Sequence, residues 1–232
     1  MASAFAVPLV AKPAGPSVPE ATAVPAGDVF SKYGLVVHER AEWIAKKTPS
    51  PKGLETERDV RVLLVHHSDS GNTYKAGAVP SVLRGFHSFH TGPEKKWPDI
   101  AYNFFVDRFG DVWEGRHGSL ERPVIGSASG GNQGHSQLVC LIGNFASERP
   151  PTRMLASLAA LLAALGERYE LDPDPDATST FVSRGSNRWP KGKEVSTRSI
   201  EGHRAMSMTA CPGDAAFAAL PDVRLAVKKL RG

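Results

Sequence analysis

Two residues of metal-binding type lie eight positions apart near the carboxyl end of the chain. His203 and Cys211 belong to residues 199–213, which read SIEGHRAMSMTACPG, with Thr209 between them. An imidazole and a thiolate on one loop are two of the three protein ligands that a catalytic zinc site needs, the fourth position being left for water. The spacing alone also arises by chance. A surface histidine near a buried cysteine is therefore an equally acceptable interpretation of this segment.

A third candidate ligand follows an apolar run far upstream. Residues 60–65 read VRVLLV and lead directly into His66 and His67. A nearly continuous run of β-branched residues and leucine predicts a strand buried on both faces of a sheet that helices cover. His66 would then lie at the end of a central strand, where open α/β sheets place their ligands. Because side chains alternate along a strand, we expect His67 to point the other way.

Length, composition and charge are those of an ordinary globular protein. The 232 residues suffice for one domain of roughly 170 residues and an appendage. The net charge of +4 and the isoelectric point near 9.1 favour acidic partners such as a bacterial cell wall. We find no DNA-binding or RNA-binding motif and expect no nucleic-acid partner. No segment approaches the roughly 18 apolar residues of a membrane span, so we expect none. We also expect the protein to be a monomer.

The chain contains two cysteines, Cys140 and Cys211, which are too few for a disulfide framework. Cys140 lies in the apolar run LVCLIG, where a small buried side chain is expected. Cys211 lies in a loop among polar neighbours. The sequence leaves a single bridge between the two residues open.

Composition divides the chain into three parts. Residues 1–28 are rich in Ala, Pro and Val, contain five prolines and show no helical or strand period, so we expect an extended tail or linker. Residues 29–59 contain an apolar stretch and Trp43, and we expect this segment to pack on the core. Residues 60–232 form the expected domain. The first ten residues lack the basic start of a secretory signal peptide, and Pro8 interrupts their apolar run.

Periodicity and turn residues predict the other elements of the domain. These are a helix from Pro80 to about His90, a β-hairpin over 101–116, a buried strand over 137–142, a long helix over 151–170, an extended loop over 172–193 and a short helix over 221–230. Pro80 suits the first turn of its helix. The basic residues near the end of the last helix favour its dipole.

Five short motifs occur in a fixed order between residues 60 and 214. They are VHHS at 65–68, WPDIAYNFFVD at 97–107, EGR at 114–116, LIGNF at 141–145, and GHR followed by TACPGD between 202 and 214. In these motifs the chain resembles the zinc amidase superfamily of peptidoglycan recognition proteins, bacteriophage amidase lysozymes and bacterial N-acetylmuramoyl-L-alanine amidases. The resemblance implies a single α/β domain with a mixed central sheet of about five or six strands and helices on both faces.

The resemblance also implies the residues of the site. The zinc ligands of the superfamily fall on His66, His203 and Cys211. Tyr102 matches a tyrosine whose hydroxyl faces the metal, where it can hydrogen-bond the zinc water or a developing oxyanion. Thr209 lies where relatives carry lysine or threonine, and a threonine there would contribute a hydrogen bond rather than a charge. Other motif residues, namely Asp99, Glu114 and Arg116, are interpreted as structural.

The sequence departs from the superfamily pattern at two places beside the expected groove. Relatives often have a GAH triplet where this chain has Gly126, Ser127 and Ala128, and a small glycine where it has Gln137 and Leu138. None of these positions is a zinc ligand. The departures therefore bear on the shape of the groove and not on metal binding.

The implied function is hydrolysis of the amide bond between N-acetylmuramic acid and L-alanine by a zinc enzyme acting on peptidoglycan or muropeptides, outside the cell or in the wall. Two other interpretations stay open. One is a module that binds peptidoglycan without cleaving it, against which the presence of Cys211 and Tyr102 argues. The other is a cysteine hydrolase with Cys211 as nucleophile and His203 as base, which leaves His66 unexplained.

Overall fold

The computed structural model describes residues 26–131 and 135–232 of the chain. Most of the predicted tail, residues 1–25, lies outside the described residues. Helix α1 begins at Ala26, and the predicted boundary at residue 28 falls inside this helix. Val29 and Phe30 of this helix are buried against the domain. Their burial stabilises a helix that the local sequence does not predict.

The elements follow one another along the chain in this order: α1 (Ala26–Lys32), β1 (Val37–His38), α2 (Arg40–Trp43), β2 (Val62–His67), α3 (Val79–Thr91), β3 (Phe104–Val106), β4 (Val112–Glu114), β5 (Ser136–Leu141), α4 (Thr152–Arg168), β6 (Thr178–Val182), β7 (Glu194–Arg198), β8 (Ile200–Gly202) and α5 (Asp214–Arg231). Single 3-10 turns precede α3 and follow β8.

Six strands form the central sheet, in the order β1-β4-β3-β5-β2-β8. The β3–β4 hairpin is antiparallel, and the other four pairings are parallel. β2 lies between β5 and β8, and all six of its residues are buried. This confirms both the predicted mixed sheet and the prediction that the run after residue 60 is a central strand.

Helices cover both faces of the sheet, as predicted. On the first face, α1, α4 and α5 enclose an apolar cluster that includes Leu63 and Val65 of β2. On the second face, α2 and α3 cover Phe105 and Cys140 of the neighbouring strands. Because side chains alternate along β2, His66 belongs to the second face.

The segment predicted as an extended loop contains a strand instead, so that prediction was wrong. β6 pairs antiparallel with β7, and Phe181 lies opposite Val195 in this two-stranded hairpin. Both side chains are buried against Val62 and Leu64 on the second face of the main sheet. Phe181 is the one buried residue of β6, so the sequence of this strand shows almost no alternation of apolar and polar residues from which it could be predicted.

The last helix was predicted from residue 221 but begins at Asp214 and contains Pro221 in its interior. Ala216, Leu220 and Val223 lie on its buried side, in the cluster shared with α4. This packing outweighs the backbone hydrogen bond that proline removes. The prediction failed because it treated the proline as the start of the helix.

Candidate metal centre

Parallel pairing of two strands brings the two candidate histidine ligands together. In the register of β2 and β8, Val65 lies beside Gly202. The residues that follow these two are His66, within β2, and His203, which begins the 3-10 turn after β8, so both lie at the same edge of the sheet. The centroids of their rings are 4.4 Å apart. Cys211 reaches the same point from the loop that precedes α5.

The three predicted ligands form a group that fits zinc. Their donor atoms all lie within 4.8 Å of one another. The Cys211 Sγ atom is 3.6 Å from Nδ1 of His66. A tetrahedral zinc with bonds of about 2.3 Å to sulfur and about 2.0 Å to nitrogen separates such atoms by roughly 3.6 Å. The Nε2 atoms of His66 and His203 are buried without a hydrogen-bond partner among the described residues.

Burial sets the protonation of the ligand side chains. It lowers the pKa of His66 well below its usual value, and the neighbouring His203 and His67 lower it further. Burial also lowers the pKa of His203 to about 4, so both rings are neutral at pH 7. Burial raises the pKa of the Cys211 thiol to about 12. A thiolate at this position therefore requires an adjacent cation, which Zn²⁺ would supply.

His67 points away from the ligands, as predicted from strand alternation. Its Nδ1 atom accepts a hydrogen bond of 3.2 Å from the backbone N–H of Phe145. Phe145 belongs to the cluster on the first face of the sheet. The backbone N–H of His67, in contrast, donates to Cys211 Sγ at 3.4 Å. His67 thus supports the site through its backbone and the core through its ring.

Tyr102 lies beside the candidate metal ligands. Its ring centroid is 5.0 Å from that of His66 and 5.8 Å from that of His90. Burial raises the pKa of Tyr102 well above its usual value, and the nearby Cys140 and Cys211 act in the same direction. The phenol therefore keeps its proton at neutral pH and can donate a hydrogen bond.

Thr209 touches the site through the backbone of the cysteine ligand. Its Oγ1 atom accepts a hydrogen bond of 3.2 Å from the N–H of Cys211. The side chain is exposed. A hydroxyl that accepts one hydrogen bond can still donate another, so this contact leaves the predicted hydrogen bond to substrate or water available.

Arg204 connects the two ends of the ligand loop, a role that the sequence analysis did not assign. Its backbone N–H donates to the Cys211 carbonyl at 3.1 Å, and its Nε donates to the same oxygen at 3.5 Å. The guanidinium also donates to the carbonyl of Ala210 and pairs with Asp214 at 2.8 Å. These contacts fix the cysteine backbone relative to the residue after His203. The motif GHR contained the signal, but only the geometry shows what its arginine contacts.

The residues interpreted as structural are held by buried polar contacts. Asp99 is fully buried, accepts a hydrogen bond of 2.7 Å from Arg40 Nη2 and accepts another from the backbone N–H of His117. Glu114 accepts hydrogen bonds from the backbone of Arg40 and of Leu120. These contacts agree with a structural role.

Both departures from the superfamily pattern have partners in this protein. Arg116 Nη1 donates to Ser127 Oγ at 2.7 Å and to the carbonyl of Ile100 at 3.2 Å. The side-chain amide of Gln137 donates to the carbonyl of Val124 at 3.1 Å. Ser127, at the second position of the triplet, thus has a partner in Arg116.

A mixed central sheet with helices on both faces is the fold of the peptidoglycan recognition proteins and amidases to which the chain is similar. The chain belongs to the N-acetylmuramoyl-L-alanine amidase family (Amidase_2), which it matches over residues 56–214. It is 25% identical over 154 residues to a peptidoglycan-recognition protein of Drosophila melanogaster, covering 66% of this chain and 69% of the relative. It is 27% identical over 179 residues to peptidoglycan recognition protein 1 of Mus musculus, covering 75% of this chain and 80% of the relative.

Solved structures of the superfamily share the fold. The chain is similar to peptidoglycan recognition protein-LE in complex with tracheal cytotoxin, a monomeric diaminopimelic acid-type peptidoglycan, with a TM-score of 0.60, 23% identity and coverage of 80% and 92% of the two chains. It is also similar to the N-acetylmuramoyl-L-alanine amidase LysC of Clostridium intestinale, with a TM-score of 0.56, 17% identity and coverage of 82% and 97%. None of the helices in the described part of the chain is long and apolar enough to cross a membrane.

Proposed function

We propose that the protein is a zinc-dependent N-acetylmuramoyl-L-alanine amidase, which hydrolyses the amide bond between the lactyl group of N-acetylmuramic acid and the first alanine of the stem peptide. The observation that carries the proposal is the convergence of His66, His203 and Cys211 within 4.8 Å. Membership of a family described by this activity supports it. The two neutral imidazoles and the thiolate match the ligand set of a catalytic zinc site.

Each side chain of the site has a distinct part in this reaction. His66, His203 and Cys211 would hold the zinc, which when bound supplies a Lewis acid and lowers the pKa of water to about 7. The phenol of Tyr102 donates a hydrogen bond to the amide oxygen as negative charge develops there. Thr209 holds the Cys211 backbone and offers its hydroxyl proton to the same region.

The proposed substrate is peptidoglycan or a soluble muropeptide, and the proposed location is outside the cell or in the wall. The complex of protein-LE with a monomeric peptidoglycan supports a muropeptide ligand. Tyr102 packs against the apolar cluster beneath α3 and against the cluster beneath the β6–β7 hairpin. A peptide carrying the scissile amide can reach the metal ligands along this face.

Recognition without cleavage is the second candidate, because the Drosophila and mouse relatives are named as recognition proteins. Release of stem peptide from purified peptidoglycan, measured before chelation, after chelation and after zinc is restored, separates the two. Cleavage that disappears with the chelator and returns with zinc supports the amidase. Binding without cleavage in every condition would make the protein a recognition module. Cleavage that survives chelation but not a thiol reagent would make Cys211 a nucleophile.

A further inference from the structure

We propose that the loop between β6 and β7, residues 183–193, binds a carboxylate of the stem peptide beside the metal centre, through Arg188 and Lys193. This inference rests on the proposed function and names a contact of the substrate beyond the scissile amide. It is carried by the charge of the loop, by the way Trp189 presents the two cations, and by direct contacts between the loop and the ligand loop.

The loop has an uncompensated positive charge. Its sequence, SRGSNRWPKGK, contains four basic residues and no acidic one, and the next acidic residue along the chain is Glu194 at the start of β7. Arg184 pairs with Glu57 at 2.7 Å. Arg188 and Lys193 are exposed, and neither forms an ion pair with a carboxylate in the part of the chain that the structure describes. An anionic ligand would be the partner of these two side chains.

Trp189 holds both cations in place. The Cζ atom of Arg188 lies 5.3 Å from the centroid of the indole, and Nζ of Lys193 lies 5.1 Å from it. The indole N–H donates to the carbonyl of Ala205 at 2.8 Å. Its ring packs against the apolar cluster that Tyr102 also contacts. Arg188 and Lys193 thus both form cation–π contacts with a ring whose position is fixed, on the same face of the sheet as the site.

A second anchor lies on the other side of Arg188. The Oδ1 atom of Asn187 accepts a hydrogen bond of 2.9 Å from the backbone N–H of Met208, the residue before Thr209. The hydroxyl of Ser186 accepts hydrogen bonds from the N–H groups of Arg188 and Trp189. Since Ala205 and Met208 both lie between the ligands His203 and Cys211, the loop rests on the segment that carries the metal ligands.

The chemistry of the substrate matches this placement. A stem peptide carries free carboxylates, and each residue of an extended peptide spans roughly 3.5 Å, so a carboxylate lies within about 10 Å of the scissile amide. Guanidinium and ammonium groups bind carboxylates by charge-assisted hydrogen bonds, and arginine can bind both oxygens at once. A prealigned pair of cations beside the ligand loop would orient the peptide relative to the metal.

The test compares two double variants that remove the same charge. Arg188→Gln/Lys193→Gln alters the loop, and Lys228→Gln/Lys229→Gln alters exposed residues of α5, which packs on the opposite face of the sheet. Both are made in the Tyr102→Phe background, in which cleavage should be about 100-fold slower, so that little substrate is consumed during the binding measurement. Thermal unfolding checks that both fold. The dissociation constant is measured by sedimentation with peptidoglycan stripped of wall phosphate polymers, untreated and with its carboxylates converted to amides.

We expect the loop variant to bind untreated peptidoglycan about tenfold more weakly and the α5 variant within about twofold of its parent. Conversion of the peptidoglycan carboxylates to amides should weaken binding by the parent to the level of the loop variant. It should leave binding by the loop variant unchanged. Equal binding by the two double variants would overturn the inference, as would an effect seen only when wall phosphates are retained. If the unmodified chain cleaves peptidoglycan in those cases, the proposed function survives. If it neither binds nor cleaves, both proposals fail.

Discussion

The sulfur of Cys211 lies 3.6 Å from Nδ1 of His66, although the two residues are 145 positions apart in the chain. The contact joins the end of the central strand to the loop before the last helix. The parallel β2–β8 pairing and the contacts of Arg204 hold these two segments in place. The metal centre is therefore a property of the complete fold and not of either segment.

Substitution of the cysteine ligand tests the metal centre directly. We expect Cys211→Ala to purify with little or no zinc and to release no stem peptide, because two imidazoles alone bind the ion weakly. Metal content is measured by elemental analysis. Cys140→Ala is the matched control: it removes a buried thiol from the same face, costs about 1 kcal/mol of stability and should retain the zinc. Full zinc occupancy in Cys211→Ala would contradict the ligand assignment.

The phenol of Tyr102 is expected to act on the rate and not on metal binding. Tyr102→Phe keeps the ring beside His66 and removes only the hydroxyl, so zinc content should be unchanged. Loss of a preorganised hydrogen-bond donor should lower kcat about 100-fold with little change in KM. Steady-state kinetics on a soluble muropeptide measure both constants. A rate equal to that of the unmodified chain would remove the phenol from the mechanism.

Thr209 is predicted to matter through its hydroxyl. Thr209→Ala removes the hydrogen bond to the N–H of Cys211 and should weaken zinc binding about three- to tenfold, which corresponds to about 1 kcal/mol. Thr209→Ser retains the hydroxyl and should restore the affinity. Competition with a chromophoric chelator gives the zinc dissociation constant of each variant. Identical constants for the alanine and serine variants would show that the hydrogen bond is dispensable.

Arg204 is predicted to act as a positioning residue for the cysteine ligand. Arg204→Gln loses the side-chain contacts to the carbonyls of Ala210 and Cys211, and zinc affinity should fall about 10- to 100-fold. Asp214→Asn, which removes only the exposed carboxylate partner of Arg204, is the control and should change the affinity little. Arg204→Gln and Asp214→Asn would lower the zinc affinity equally if the ion pair, and not the carbonyl contacts, held the loop.

Acid should destabilise the zinc-free protein because its histidines are buried in neutral form. Burial lowers the pKa of His90 from 6.5 to about 4. Between these two pH values the unfolded chain binds a proton at this residue and the folded protein does not. Stability should fall as the pH drops from 6.5 towards 4, by up to about 3 kcal/mol from this residue. His90→Asn keeps an acceptor for the Ala101 N–H and removes the titration.

The measurement for this prediction is the free energy of unfolding in urea at pH 7 and at pH 4.5. The unmodified chain and His90→Asn should differ in the size of the loss between the two pH values, with the smaller loss in the variant. Buried His66 and His203 titrate in both proteins and cancel in the comparison. The same loss in both would mean that His90 contributes nothing to the acid sensitivity.

The parts of the fold and site that could be predicted are those with strong local signals. The apolar run after residue 60 predicted β2, the turn at residues 108–111 predicted the β3–β4 hairpin, and the ordered motifs placed His66, His203 and Cys211 in one site. The signal for a buried strand or a short motif lies in residues that are close together in the sequence, so both can be found without the structure.

The features that were missed depend on contacts between distant segments. Strand β6 exposes most of its residues and is held by the burial of Phe181 against the main sheet. Asn187 and Trp189 gain their roles only when the hairpin rests on the ligand loop. No period or composition marks such residues, because what they contact is decided by tertiary packing.

The order of strands in the sheet determines when the site can form during synthesis. β2 is made in the first third of the chain, but its second neighbour, β8, and two of the three metal ligands come after residue 199. A nascent chain that stops earlier keeps one edge of β2 unpaired and lacks His203 and Cys211. Parallel pairing between segments this far apart in the chain is intrinsically slow to form. The proposed hydrolytic activity should therefore appear only once translation of the domain is nearly complete, and shorter nascent fragments should not cleave peptidoglycan.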